Sequence, residues 1–436
     1  MWADHGELLR AGIFHTPGNP FRDEDGLQVF PDGGLLIAGG RILACGDYRS
    51  VAAEHPLVRT RDLRPGFLAP GFVDVHTHFP QMRIIGGLGH TLLDWLERCA
   101  LPEEARMSDT LYARRVAREF IDGLSRNGTT TALVFGAHFA PATAALFETA
   151  ASAGIRIVSG MVLSDRGLTP ALHQTPAAAY EQSKALIQRF HGKSGHFYAV
   201  TPRFALSCSE AMLEVCRSLL DEHPGVLLQT HLNENSSEIA EVAKRFPRAK
   251  DYLDVYEEFN LVRAGGVFAH NVHPSIAELD RLAYLSAGVA YCPCSNAALG
   301  SGFFPMRRHL NAGVRFALGT DVGAGTGLGM LKEGLQAYLL QRLDPAGYPL
   351  TPAHLLYLCT RAGAELLGMD SEIGDLTPGK AADFVHLQAP EGGPLAAAIS
   401  RAADPEQVLA ALFTLGSPEC VREVRVAGCA AGLDRR

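Results

Sequence analysis

No stretch of the sequence approaches the roughly 18 consecutive apolar residues that a membrane-crossing helix needs. The opening run, MWADHGELLRAGIFHTPG, lacks the basic start, apolar core and small-residue cleavage site of a secretory leader. A cytoplasmic protein without a membrane partner is expected. Long runs of Lys and Arg are missing too: 39 basic residues stand against 47 acidic ones, a formal net charge of -8. That balance excludes the counterion-release binding that nucleic acid requires and favours a small-molecule partner. The nine cysteines follow no framework spacing, and an odd count in a chain of this size points to reduced thiols rather than disulfides. Low-complexity tracts are absent, and so is the Gly-x-Ser-x-Gly motif of a serine nucleophile.

What is present is an ordinary globular composition, 47% hydrophobic and 20% charged over 436 residues, enough for one large barrel and a smaller satellite domain. From Gly71 onward short β-rich runs alternate with longer helical patterns, the signal for repeated βα units around a parallel sheet. Eight runs can be counted, beginning at Gly71, Gly128, Ile155, His196, Val226, Gly266, Gly288 and Val314. Nearly all pass from apolar residues into polar or ionisable ones, so the polar ends gather at the C-terminal rim, where active sites of such barrels sit. Between them, a helix starting near Ser108 shows Tyr112, Val116, Phe120 and Leu124 on one face and stops at Asn127-Gly128. The expected fold is α/β, a (β/α)8 TIM barrel over residues 70–370. The two ends of the chain are patterned differently. A hairpin pattern turns at Gly39-Gly40, and residues 382–387 and 421–426 read as strands beyond the turn-rich segment 376–380. Residues 1–69 and 371–436 are therefore expected to form a small β-sandwich from both termini.

The chemistry is concentrated at the strand ends. His76 and His78 are two apart on the first strand, so both point the same way and can chelate one ion. His231 ends the fifth strand, His270 the sixth and Asp321 the eighth, which aims four imidazoles and a carboxylate at one point on the rim. Cys292-Pro-Cys294 is too closely spaced for a Cys-x-x-Cys metal knuckle. His90, His138 and His273 lie near rim loops and read as surface or supporting residues.

These residues sit in longer motifs: PGFVDVHTHFPQ from Pro70, TPRFALSCSE from Thr201, THLNEN from Thr230, Cys-Pro-x-Ser-Asn at Cys292 to Asn296, GSGFF from Gly300, GTDVGAG from Gly319, and the Pro378 to Asp383 turn. In them the chain resembles the amidohydrolase superfamily, in its guanine deaminase branch, over nearly its whole length. The resemblance implies that His76, His78, His231 and Asp321 ligate one zinc ion per chain, with iron as the alternative, while His270 lies beside the attacking water. Binuclear members commonly carry a bridging lysine on the fourth strand. Residues 196–204 have none, so a mononuclear site is expected.

The implied activity is hydrolytic deamination of guanine to xanthine and ammonia, in purine catabolism or salvage, by a homodimer. Zinc lowers the pKa of bound water to about 7, and at least one carboxyl group must shuttle protons to the ring and the leaving nitrogen. Glu234 is expected to move a proton at the substrate ring. Asp321 takes the proton of the attacking water towards leaving ammonia, and His270 stabilises the developing oxyanion. Guanine's far edge offers a carbonyl oxygen and a ring nitrogen, which Arg203 and Gln81 are placed to meet, with Phe204 as an apolar wall and His231 and Glu234 also touching the base. A structural salt bridge is the other reading of Arg203. Trp95 reads equally as a lid over the ligand or as a core residue, and Cys294 stands where Asn or Thr is more familiar in the family. The rival functions are deamination of another amino-heterocycle (8-oxoguanine, a pterin, a triazine or an adenosine derivative), hydrolysis of a cyclic amide, and a non-catalytic barrel scaffold.

Overall fold

A computed structural model describes residues 6–433. The chain opens with β1 (Glu7–His15), β2 (Gln28–Ala38), β3 (Arg41–Asp47) and β4 (Arg59–Pro70). β2 and β3 are the expected hairpin. Gly39 and Gly40 occupy its turn at φ 56° and 77°, a left-handed pair that residues with a side chain adopt only at a cost.

The barrel follows as β5 (Phe72–His78), β6 (Thr129–Phe135), β7 (Arg156–Gly160) with its short continuation β8 (Val162–Leu163), β9 (Phe197–Pro202), β10 (Leu227–Leu232), β11 (Gly266–His270), β12 (Gly288–Tyr291) and β13 (Arg315–Leu318). Each of the eight expected runs holds a strand, and neighbours pair in parallel in chain order. All residues of β5, β6 and β10 are buried. Their buried residues are not all apolar: Asp74 lies in β5, Thr129 in β6 and Gln229 in β10, where Gln229 Nε2 donates to the Val134 carbonyl at 2.8 Å and to Thr201 Oγ1 at 3.0 Å.

First and last strands are joined through residues at the site itself. Asp321 N–H donates to the His76 carbonyl at 2.8 Å, and His78 N–H to the Val322 carbonyl at 3.0 Å. Beneath them the buried Asp74 carboxylate accepts from Thr320 N at 3.0 Å, Thr320 Oγ1 at 2.5 Å and His76 N at 3.2 Å.

The helices close the outer layer. Thr110–Arg126 is capped by the Asp109 carboxylate, which accepts from Leu111 N and Tyr112 N. Its stripe of Tyr112, Val116, Phe120 and Leu124 is buried against the barrel, each such side chain contributing about 1.5–3 kcal/mol. After β14 (Phe384–Leu387) come two helices with no counterpart in the sequence expectations, Pro394–Arg401 and Pro405–Leu415. The second packs Phe413 over Gly334 of helix Met330–Leu343 so closely that a Cβ there would lie 2.5 Å from the ring. The chain then returns as β15 (Val421–Val426) and β16 (Cys429–Ala430).

Both termini therefore build one mixed sheet, in the order β16-β15-β14-β4-β1-β2-β3. It has an apolar core of its own, including Leu9, Ile13, Leu35, Leu68 and Phe384. Lys380 and Arg361 reach the buried Asp375 at 2.6 and 2.7 Å, tying the turn before β14 to the barrel helix Arg361–Leu366. Among the described residues no helix is long and apolar enough to cross a membrane.

Candidate active site

The C-terminal ends of β5, β10, β11 and β13 deliver the ionisable residues to one place. His76 Nε2 and His78 Nε2 each lie 3.2 Å from Asp321 Oδ1 and 3.3 Å from one another. Donor atoms of His76, His231, His270 and Asp321 all fall within 4.8 Å of one another, and all four residues are buried. Phe135, at the end of β6, packs against the rings of His76, His78 and His231 with centroids 4.4–5.1 Å away.

Local hydrogen bonds fix which nitrogen faces the centre. The Nδ1–H of His231 donates to the Arg203 carbonyl at 2.6 Å, leaving Nε2 as the free donor atom. His270 Nδ1 pairs with the Asn296 side-chain oxygen at 3.0 Å, so its Nε2, buried without a hydrogen-bond partner, points inward. The backbone bends to achieve this: His270 and Asp321 sit at φ 72° and 46°, a conformation costing about 1–3 kcal/mol for residues other than glycine.

The electrostatics match the chemistry of a divalent ion. Burial pushes the imidazoles of His76 and His231 below the usual range and that of His78 to about 4, so their lone pairs stay available. For Asp321, burial opposes ionisation, but the neighbouring His76 and His78 rings outweigh it and hold the carboxyl well below its ordinary value. Neutral imidazoles around one carboxylate are the donor set of zinc or a similar borderline metal, and the residues present fit such an ion.

Glu234 lies beside this cluster. It is 3% exposed, so it is no solvated loop carboxylate. Its Oε2 is 3.5 Å from His270 Nε2 and its Oε1 3.4 Å from Ser301 Oγ. Burial, together with the negative charge of Asp321, pushes Glu234 well above the carboxylate range. Glu238 steadies the loop from below, accepting from Glu234 N at 3.1 Å and from the Tyr252 hydroxyl at 2.7 Å.

One pocket is lined by His78, Gln81, Arg203, Phe204, His231, Glu234 and Asp321, together with Leu92, Trp95, Leu96, Leu299 and Ala324. His76 and His270 stand behind it, their rings 4.9 and 5.5 Å from that of His231. All the residues singled out in the sequence for metal, catalysis or binding are thus brought together. Trp95 turns out to be both wall and core: it is 2% exposed and ends a short helix that continues into a π turn over Leu96–Ala100. Arg203 likewise satisfies both of its readings, lining the pocket while its NH2 group donates to Glu104 Oε1 at 2.9 Å.

Some supporting residues escape a reading of the sequence. Glu104 has no motif of its own in LLDWLERCALPEE, and its role depends on a contact with a strand end far along the chain. Asn296 is visible only as part of the Cys-Pro-x-Ser-Asn run. Cys292 and Cys294 of that run are buried, outside the converged donor set, and Cys294 N–H donates to Glu333 Oε2 at 3.1 Å. His138 is buried beside Glu104, at 3.4 Å, rather than at the surface.

A parallel barrel with imidazoles and a carboxylate converging at its C-terminal rim defines a hydrolytic enzyme of the metal-site barrel class. Residues 67–430 match the amidohydrolase family, and the chain belongs to it. It is 53% identical over 428 residues to a probable guanine deaminase of Deinococcus radiodurans, covering 97% of this chain and 98% of that one. Over 384 residues it is 40% identical to the guanine deaminase of Escherichia coli, covering 88% and 87% of the two chains. The solved structure of E. coli guanine deaminase superposes with a TM-score of 0.94 at 37% identity, over 98% of this chain and 100% of that one.

Proposed function

We propose that this chain catalyses the hydrolytic deamination of guanine to xanthine and ammonia. The observation that carries the reading is one pocket lined at once by His78, His231 and Asp321 of the donor set, by Glu234, and by Gln81 and Arg203. His76, His78, His231 and Asp321 are the residues that would hold one zinc ion, or iron in its place. When bound, such an ion lowers the pKa of water to about 7 and so supplies a nucleophile at neutral pH.

The side chains then divide the proton work. Asp321, held ionised, accepts the first proton of the attacking water and passes it to the departing 2-amino nitrogen, which leaves as ammonia. Guanine N1 already carries a hydrogen, so N3 must accept one, and Glu234, kept protonated by its burial, is the donor. When the C2 hydroxyl collapses to a carbonyl its proton restores Glu234, and the balance closes on xanthine. His270 lies where negative charge develops on the attacking oxygen and stabilises it. Arg203 and Gln81 meet the carbonyl and ring nitrogen of the far edge, and Phe204 packs on the base.

The remaining parts of the reading follow the same lines. Nine free cysteines support a reducing, cytoplasmic setting. A homodimer is proposed from the family resemblance, and the division at residues 69/70 and 370/371 from the change of sheet between β4 and β5 and the return at β14. The test is ammonia release by the purified zinc-loaded protein from guanine, 8-oxoguanine, adenine, isoxanthopterin and cytosine in parallel. Release from guanine alone is expected; release from another base instead would retain the hydrolytic chemistry and overturn the substrate.

A further inference from the structure

Glu104 lies in the short helix Leu101–Ala105, outside the pocket lining, yet its carboxylate ties together residues from three other segments. Its Oε1 accepts from Gln81 Nε2 at 2.7 Å and from Arg203 NH2 at 2.9 Å, while its Oε2 faces His138 Nδ1 at 3.4 Å. Gln81, Arg203, His138 and Glu104 are each at most 4% exposed.

A carboxylate without a proton can only accept, so the Gln81 amide must turn its nitrogen to Glu104. Its oxygen in turn accepts from Gly323 N at 3.0 Å, which leaves one amide hydrogen and one oxygen lone pair in a fixed direction. Arg203 is pinned by the same oxygen, and its positive charge is balanced before any ligand arrives. Burial opposes ionisation of Glu104, but Arg203, His138 and Gln81 together outweigh it and hold the carboxyl down at about 2.

We infer that Glu104 is the positioning residue of the recognition group: by bridging Gln81 and Arg203 it presets both for the far edge of a neutral purine base. The inference rests on the guanine reading, since it is that edge which Gln81 and Arg203 address. Interactions made equally in ground and transition states govern KM rather than kcat, so losing the bridge raises KM and leaves the proton chemistry intact.

The test compares Glu104→Ala and the isosteric Glu104→Gln in the zinc-loaded, full-length protein. Glu104→Ala is expected to lower kcat/KM for guanine by about 10- to 100-fold, the usual range for residues that orient a functional group, almost wholly through KM. Glu104→Gln, which keeps one acceptor, is expected to restore part of that loss. Metal content stays at the wild-type level. Because Glu104 acts through Gln81 and Arg203, adding Glu104→Ala to a protein already carrying Gln81→Ala and Arg203→Ala is expected to cost little more than those two substitutions alone.

Equilibrium binding of hypoxanthine, which has the same far edge and no 2-amino group to lose, gives a readout independent of turnover. Glu104→Ala is expected to weaken it by a factor similar to the rise in KM. A further loss on adding Glu104→Ala to the Gln81→Ala, Arg203→Ala background, a fall in kcat at unchanged KM, loss of metal, or unaltered hypoxanthine binding would each overturn the proposal. An inert wild type that binds hypoxanthine in a Glu104-dependent manner would instead overturn the guanine reaction and leave the positioning role standing.

Discussion

Two groups of residues in the site are built on different principles. In the group that would hold a metal, His76, His78, His231 and His270 lie on barrel strands, and Asp321 follows the last of them, so the sheet places them. In the recognition group Gln81 lies on a 3-10 turn, Arg203 and Phe204 follow β9, and Trp95 belongs to a short helix before a π turn. There the sheet supplies only an approximate position, and a buried carboxylate, Glu104, supplies the rest. Where the scaffold is rigid, ligands need only the right strand and the right parity. Where it is a set of loops, orientation requires a partner from elsewhere in the chain.

Three substitutions test that contrast. His231→Ala strikes the metal group and is expected to abolish metal binding and lower kcat/KM by more than about 10⁴-fold, towards the uncatalysed rate; metal analysis with ammonia assays checks it, and full metal content with residual turnover would show that the group tolerates gaps. Glu234→Gln strikes the carboxyl beside His270. It is expected to keep the metal and reduce kcat by about 10²–10⁴-fold, because an amide cannot deliver the N3 proton; unchanged turnover would remove Glu234 from the proton path. Arg203→Ala strikes the recognition group. It forfeits a charged hydrogen bond worth about 1.5–3 kcal/mol, a rise of roughly 10- to 150-fold in KM with metal retained; metal loss on titration with a chelator, at levels the parent withstands, would join the two groups into one structural unit.

The same contrast explains what can be read from the sequence. All eight strand runs and the five residues of the metal group are legible there, because a strand shows its period directly and its polar C-terminal end marks the rim. Gln81 and Arg203 can be found as residues, but not the geometry that makes them effective. The segment containing Glu104 has helical character and acidic residues like many surface helices, and nothing local distinguishes Glu104 from Glu103 beside it. In the structure Glu104 meets Arg203, whereas Glu103 pairs with Arg106 and the Tyr112 hydroxyl. The helices Pro394–Arg401 and Pro405–Leu415 are hidden for a related reason: the second is placed by packing on barrel helices and the first by packing on the second, which the flanking strand pattern does not announce.

The seam between β5 and the segment after β13 ties closure of the barrel to completion of the site. The backbone bonds that shut the ring, Asp321 to His76 and His78 to Val322, belong to the residues that converge on the centre. During synthesis the two histidines of β5 emerge early and have no carboxylate partner until the final strand docks. A chain halted before that step lacks both the bonds that shut the ring and the Asp321 carboxylate, so an open sheet and an incomplete donor set go together.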